Sequence, residues 1–548
     1  MSGRRRTASE TSSPVVGSPF APLRHPYFAT TWSANVASNM GSVIQLVGAS
    51  WLMMRLSGSP DMVALVQSAT SAPVLFLGLL AGVLADTRDR RLVMLTAQIW
   101  MLGISLAIVL LMHLQMMTPV LLLGLTFLLN CGVALSVSSW HASTGDRVVP
   151  KDLAAAIALN SVGFNIARSL GPAVGGLVVS LAGVFTAFVI NALSYVGLIV
   201  ALLAWRPPPK PPSGPREPMF DALFAGLQYV QMARFPKRAL ARAFCFALAG
   251  SSIWALTPII ARDVLHGDAG TYGLLLSAFG AGATVCGLAS AAVREKLGGE
   301  LTVRLAAGAF AILLLLVGVS TAMEVSVPAV FLAGGAWILV VTTYNISLQL
   351  SSPGWVLGRA ISLLHMSVFG GVAIGSWGWG SVATHVGPQW ALAGSAVAVA
   401  VVAIGWCFRG LLEGASEAPA AVRNAPGLTA PGLDVETGRI AVTVERRVSP
   451  ENWPSFLKAM RALRRIRTRD GAMNWALWQS LENPTVWIER FELRNWAAHL
   501  RQRARATDAD TADEQRVLAF HEGPSPPVVS RYVDRHSTRT PVPPREKP

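Results

Sequence analysis

The stretch GVLADTRDRR, residues 82–91, decides how this chain is read. Five of its ten residues are charged, in a 548-residue protein that is 52% hydrophobic and only 14% charged. The flanking stretches, 61–85 and 92–113, are predominantly apolar. Each is long enough to cross about 30 Å of hydrocarbon, which takes roughly 20 helical residues. The charged decapeptide is therefore a loop between two membrane spans. A mean hydropathy of +0.47 for the whole chain excludes a soluble protein.

Comparable apolar runs extend outward at 27–56, 118–144, 153–181 and 183–205. After a Pro-rich basic stretch, six more lie at 238–262, 269–293, 303–323, 326–349, 358–383 and 386–409. The pattern predicts an all-α membrane fold of twelve transmembrane helices in two six-helix bundles, 27–205 and 238–410, joined by a connecting loop at 206–237. Arg88, Arg90, Arg91, Arg147, Lys151, Arg206, Lys210, Lys237, Arg294, Lys296 and Arg359 all fall in connections on the side of the N-terminus, whereas Arg55 and Arg262 lie at the opposite ends. The positive-inside rule then places both termini and the central loop in the cytoplasm, with the protein multi-pass in the inner membrane.

This asymmetry explains most of the net charge of +15, so nucleic acid is not an expected partner; the lipid bilayer is. Residues 1–26 carry Arg4, Arg5 and Arg6 without an apolar core before a small-residue cleavage site, and read as a disordered tail. Cys131, Cys245, Cys286 and Cys407 lie inside apolar runs without metal or redox spacing. No Gly-Lys nucleotide loop follows a strand, and no cofactor is expected.

The two halves match: Asp86 after span 2 and Glu295 after span 8 are 209 residues apart, close to the offset between the starts of spans 1 and 7. Internal repeats of this kind mark secondary transporters, whose small-molecule substrate is handled between the halves.

Gly82, Leu84, Asp86, Arg90 and Arg91 fall where the major facilitator superfamily has its loop 2–3 signature, although Asp89 stands where that signature commonly has a second Gly. Over residues 27–410 the chain resembles this superfamily, and most closely the branch that includes enterobactin exporters and transmembrane secretion effectors. In physical terms, Gly82 permits close helix approach and Asp86 suits the positive end of another helix. Arg88, Arg90 and Arg91 suit carboxylates or lipid phosphates. Span 11, which begins near Gly358 and Arg359, is the expected neighbour, and the contact is expected to act as a gate. The alternative is that the charges only anchor topology.

Two further features bear on transport. SLGPAVGGLV, residues 169–178, combines Gly171, Pro172, Gly175 and Gly176 in a bendable, closely packing helix, and is similar to the superfamily's exporter-associated motif in helix 5. Arg168 lies thirteen residues beyond Ala155, roughly 20 Å into the span. A cation there costs about 2.5–3.5 kcal/mol on insertion scales, so it is expected to face a cavity or a partner. No Asp or Glu lies well inside any span, which favours an anionic substrate; a structural Arg168 bonded to backbone or to Asn160 and Asn165 is the competing expectation. Asn35, Asn39, Asn130, Trp254, Tyr344, Asn345, Gln349 and His365 are the other candidates for a polar, aromatic cavity. For any one of them an interhelical hydrogen bond is the simpler role.

From 411 to 437 the composition is that of a linker, and a soluble pattern follows. Strands at 440–448, 472–481 and 485–493, helices near 453–460 and 496–505, a short helix before His521 and a strand at 528–533 spell βαββαβ. This resembles the ferredoxin-like fold of antibiotic-biosynthesis monooxygenase-type domains over 438–535, with a disordered tail at 536–548, and the resemblance implies a homodimer through the sheets. Trp475, Trp478, Trp487, Trp496, His499 and His521 suggest a cofactor-free oxygenase pocket, but core tryptophans and surface histidines are the preferred reading. The leading functional expectation is a secondary exporter, not an enzyme, for a bulky anionic or amphipathic metabolite such as a siderophore. Efflux of cationic compounds, a transporter fused to an oxygenase, and a membrane sensor are the alternatives.

Overall fold

The computed structural model describes residues 20–206, 234–352, 357–405, 438–504 and 508–534. Residues 1–19 of the expected N-terminal tail, the C-terminal tail, most of the connecting loop and the linker lie outside the described residues; residues 20–26, expected in the disordered tail, instead form a 3-10 turn at Ala21–Arg24 that leads into a helix starting at Pro26. The membrane part is helical throughout: α1 Pro26–Ser57, α2 Pro60–Thr87, α3 Arg90–His113, α4 Pro119–Ala142, α5 Leu153–Ala204, α6 Arg234–Gly250, α7 Ser252–Ile259, α8 Ala269–Leu297, α9 Gly299–Val319, α10 Met323–Ser351, α11 Leu357–Val386 and α12 Pro388–Gly405. Ten helical segments among the described residues are long and apolar enough to cross a membrane. Helix starts follow local chemistry: Pro opens α1, α2, α4 and α12, and the Asp89 carboxylate caps α3 by accepting from the Arg91 and Leu92 N–H groups.

Helix α5 holds both spans expected on either side of residue 182: it covers 52 residues, interrupted by one non-helical residue, Gly183, at φ 81° and ψ 167°. A straight helix of that length would be about 78 Å long. Instead its two ends lie at the same end of the bundle: Arg91 donates to the Leu202 and Leu203 carbonyls, while the adjacent Arg90 donates to Asp146 in the turn that precedes α5, and Asn160 near the start of α5 bonds Thr144 of that turn. The chain must therefore double back at Gly183, a left-handed position open to glycine at little steric cost.

Two long helix pairs join the halves. Helix α2 lies antiparallel to α11 along its length, with Gly82 facing Ser362, Gly78 facing Met366, Leu75 facing Gly370, and Ser68 donating to the Ala373 carbonyl at 2.7 Å. Helix α5 pairs with α8 in the same manner. Glycines hold both seams tight because backbone approaches backbone there.

The appended domain is a four-stranded antiparallel sheet, β1 Ile440–Arg447, β2 Met473–Gln479, β3 Val486–Leu493 and β4 Val528–Val533, in the order β2-β3-β1-β4. Helices α13 Trp453–Arg469, α14 Trp496–Ala504 and α15 Asp508–Leu518 complete it. Ile440, Val442 and Val444 alternate inward on β1, as do Trp487, Glu489, Phe491 and Leu493 on β3. They build two small cores with Trp496, Phe456, Met460 and Leu463.

Candidate functional site

Arg168 sits on the α5–α8 seam. Pro172 has no N–H to bond the Arg168 carbonyl, so that oxygen is released from the helix ladder. Gly280 packs directly on it, and Gly273 packs on the Pro172 carbonyl. The freed chemistry continues across the seam. Ala173 donates its N–H to Ser277 Oγ at 2.7 Å, Ser169 Oγ meets Thr284 Oγ1 at 3.1 Å, and Thr284 donates to Asn165 Oδ1 at 3.4 Å. The GPAVGG run thus has two faces: Gly171 and Gly175 abut Val43, Ile44 and Val47 of α1, while a Cβ on Gly176 would fall 2.6 Å from the Ala269 carbonyl oxygen of α8.

The half-buried guanidinium of Arg168 lies 6.0 Å from the Phe279 ring centre and makes no ion pair among the described residues. Phe279 is the edge of an aromatic cluster: Trp254 meets it at 5.1 Å and Trp337 at 4.4 Å, both edge-on, and Trp337 meets Phe246 at 4.9 Å. A cation beside π faces gains some stabilisation there without neutralisation.

The other candidates divide. Asn165 joins the seam, and Trp254 joins the aromatic cluster. Asn130 bonds its own helix at the Thr126 carbonyl, and Gln349 donates to Asn345 within α10. Asn35 and Asn39 are half-buried on α1, and His365 is exposed on α11. Tyr344 is only 3% exposed and packs against Arg242, whose two terminal nitrogens grip Glu300 at 2.9 and 3.0 Å. The gap beside that pair is about 10 Å³, room for a single water. Sequence reasoning missed this pair, because its members are 58 residues apart on different helices.

At the basic end, Arg90 donates to the Ala142 carbonyl at 2.8 Å and to Asp146 at 3.3 Å. Together with the Arg91 bonds, these contacts cap the C-termini of α4 and α5, where helix dipoles favour cations. All partners found for Arg90 and Arg91 lie in the first half. Arg88 is exposed, and Gly82 faces Ser362 of α11; Asp86 ends α2, and its side chain lies outside the described residues. Arg147, missed as a site residue, is 6% exposed and stacks 3.9 Å over Trp140 while donating to Thr31, Ser143 and the Trp140 carbonyl. Burial pulls its pKa down to about 10 against the pull of Asp146, so it stays charged near neutrality. At the opposite end Ser180 donates to Asp268 at 2.6 Å, closing α5 against the start of α8.

In the appended domain His521 accepts from the Arg447 N–H and meets the Ser525 carbonyl, tying down a loop. Trp487 packs with Trp453 and Phe456, and the Trp475 indole donates to Glu489 at 3.1 Å. These residues are not gathered into one pocket. His499, 3% exposed, lines a cavity beside the sheet.

Comparison with known proteins agrees with this architecture. The chain is similar to a bacterial homologue of the human lysosomal transporter Spinster, solved inward-facing and unoccupied, at 17% identity over 72% of this chain and 96% of that one, with a TM-score of 0.54. It is also similar to the nucleoside transporter NupG, at 14% identity over 70% and 98% of the two chains and a TM-score of 0.54. A peptide transporter of the POT family, solved with a thioalcohol-conjugated peptide, matches at 12% identity over 70% and 95% with a TM-score of 0.55. No curated protein matches the chain. The model of the transmembrane secretion effector family matches residues 17–539, running through the appended domain as well as the membrane part, and the chain belongs to that family of major facilitator membrane transporters.

Proposed function

We propose that the protein is a secondary exporter with twelve membrane crossings, α5 supplying two of them and α6 with α7 one. It works by alternating access between its two halves and carries a bulky anionic or amphipathic metabolite, siderophore-like in size and charge. The observation that carries the anionic assignment is Arg168, a cation without an ion pair among the described residues, on the seam between the halves and beside an aromatic cluster that suits a ringed body. In a low-dielectric surrounding such a charge attracts anions and repels cations. The GPAVGG face of α5 supports export, and the loop after α2 supports a gate in which Gly82 and Asp86 work against α11. The excess of Lys and Arg at one end supports placing that end, both termini and the appended domain in the cytoplasm. The strand order β2-β3-β1-β4 supports a ferredoxin-like reading of that domain, and Trp478, Val528 and Tyr532, exposed on the sheet's outer face, support a homodimer through it.

The test compares secreted and retained metabolites in cells with and without the protein, followed by flux of the differing compound in proteoliposomes. Export predicts an anionic, ringed compound retained when the protein is absent. An unchanged metabolite profile together with no flux of anionic compounds contradicts it.

A further inference from the structure

The helix-facing side of the appended sheet borders a cavity of about 350 Å³, within the roughly 300–1,000 Å³ typical of small-molecule sites. Val442, Val444, Leu463, Ile466 and Phe491 give it an apolar floor. Its charges are matched unevenly. Arg446 holds Glu489 at 2.9 Å, Arg467 holds Glu514 at 2.8 Å, and Arg469 holds Asp470 at 2.9 Å and Asp510 at 2.6 Å. Those three arginines pair with four carboxylates at the cavity, and Arg503 also lines it. Arg531, on β4, lines the same cavity, and the partner found for it is the imidazole of His499, to which its Nε donates at 3.2 Å. A guanidinium only donates, so His499 Nε2 is the acceptor and the ring proton is on Nδ1. His499 Nδ1 is buried and has no hydrogen-bond partner among the described residues. Burial and the nearby Arg531, Arg503 and Arg467 push the His499 pKa down to about 4, so the imidazole is neutral at physiological pH and does not compete for an anion.

We propose that this cavity binds a small molecule with an apolar body and a single anionic oxygen head, a carboxylate or phenolate, held by Arg531 beside His499. The site is separate from the membrane seam and stands whether or not Arg168 selects the cargo. A guanidinium on an exposed edge strand, a neutral donor behind it and an apolar floor form a head-and-body arrangement for such a ligand.

The experiment is calorimetry on the full chain in lipid nanodiscs, run throughout in an Arg168→Gln background so that the membrane seam offers the probes no cation (wild type and variants below refer to position 531), with 1-naphthoate and uncharged 1-naphthamide as probes and empty nanodiscs as the blank. Wild type should bind naphthoate about tenfold more tightly than naphthamide, on the order of one charge-assisted hydrogen bond. Arg531→Gln should reduce naphthoate to the naphthamide level while leaving naphthamide unchanged, and Arg531→Lys should keep part of the preference. A chain ending at residue 437 should lose the preference. No binding by wild type, equal binding of both probes, a preference that survives Arg531→Gln or the truncation, or loss of both probes in Arg531→Gln would each overturn the proposal.

Discussion

At the residue scale, the seam between the halves rests on positions where a side chain cannot fit. Gly280 lies on the carbonyl oxygen of Arg168, and a Cβ there would overlap backbone that has no rotamer with which to move aside. Gly280→Ala should therefore cost about 1–3 kcal/mol and lower the thermal unfolding temperature in detergent. Gly103→Ala on α3, where nothing lies within 4 Å of the added carbon, should leave it unchanged. Equal melting of the two variants would remove the seam's packing argument. His499 yields a second expectation. Its folded pKa lies near 4, below the ordinary imidazole value of about 6.5, so between those two values the unfolded state holds a proton that the folded state refuses. Stability of the appended domain should fall as pH drops from 6.5 to 4, and His499→Gln should flatten that limb. Denaturant midpoints measured across the window decide it.

At the element scale, the clearest device is Glu489, which points from β3 into the helix-facing core with no exposed surface. Arg446 and Arg467 approach it and Trp475 donates to it. Removing one member of a buried pair typically costs about 3–5 kcal/mol because the other charge is stranded. A 438–534 fragment is expected to fold alone on its own two cores, and Glu489→Ala should accordingly unfold or severely weaken it; circular dichroism on both fragments checks the pair of expectations. The strands and helices of this domain were legible in the sequence, because alternation on β1 and β3 and the helical spacing of Phe456, Met460 and Leu463 are local signals. The cavity and its charge matching were not, since Arg469 and Asp510 meet only after the sheet has placed α13 against α15. Within the membrane, span positions were legible from hydropathy. The turn at Gly183 falls where the two spans were set to meet, although one residue makes it and no polar loop marks it. Arg242–Glu300 and Ser180–Asp268 are contacts of 58 and 88 residues' separation, with no periodic trace.

At the scale of the whole molecule, the α2–α11 and α5–α8 seams join the two halves, and alternating access would require the halves to rock against each other along them. Ser180 and Asp268 close one end of the second seam, so a thiol cross-linker joining Ser180→Cys and Asp268→Cys, in a background without the native cysteines, should stop flux in proteoliposomes until the link is cleaved. Continued flux in the linked protein would contradict alternating access at this seam. Arg168 lies between the two halves in the same seam, and its role as the charge that selects an anion is the central claim. The most direct measurement is competition for transport by a size-matched anionic and neutral pair in wild type, Arg168→Gln and Arg168→Lys. Glutamine keeps hydrogen-bonding capacity without charge, and lysine keeps charge without the planar fork. The expected result is a strong preference for the anion in wild type, a partial one in Arg168→Lys and none in Arg168→Gln; an identical ranking of the pair in all three proteins would make Arg168 structural and contradict the claim.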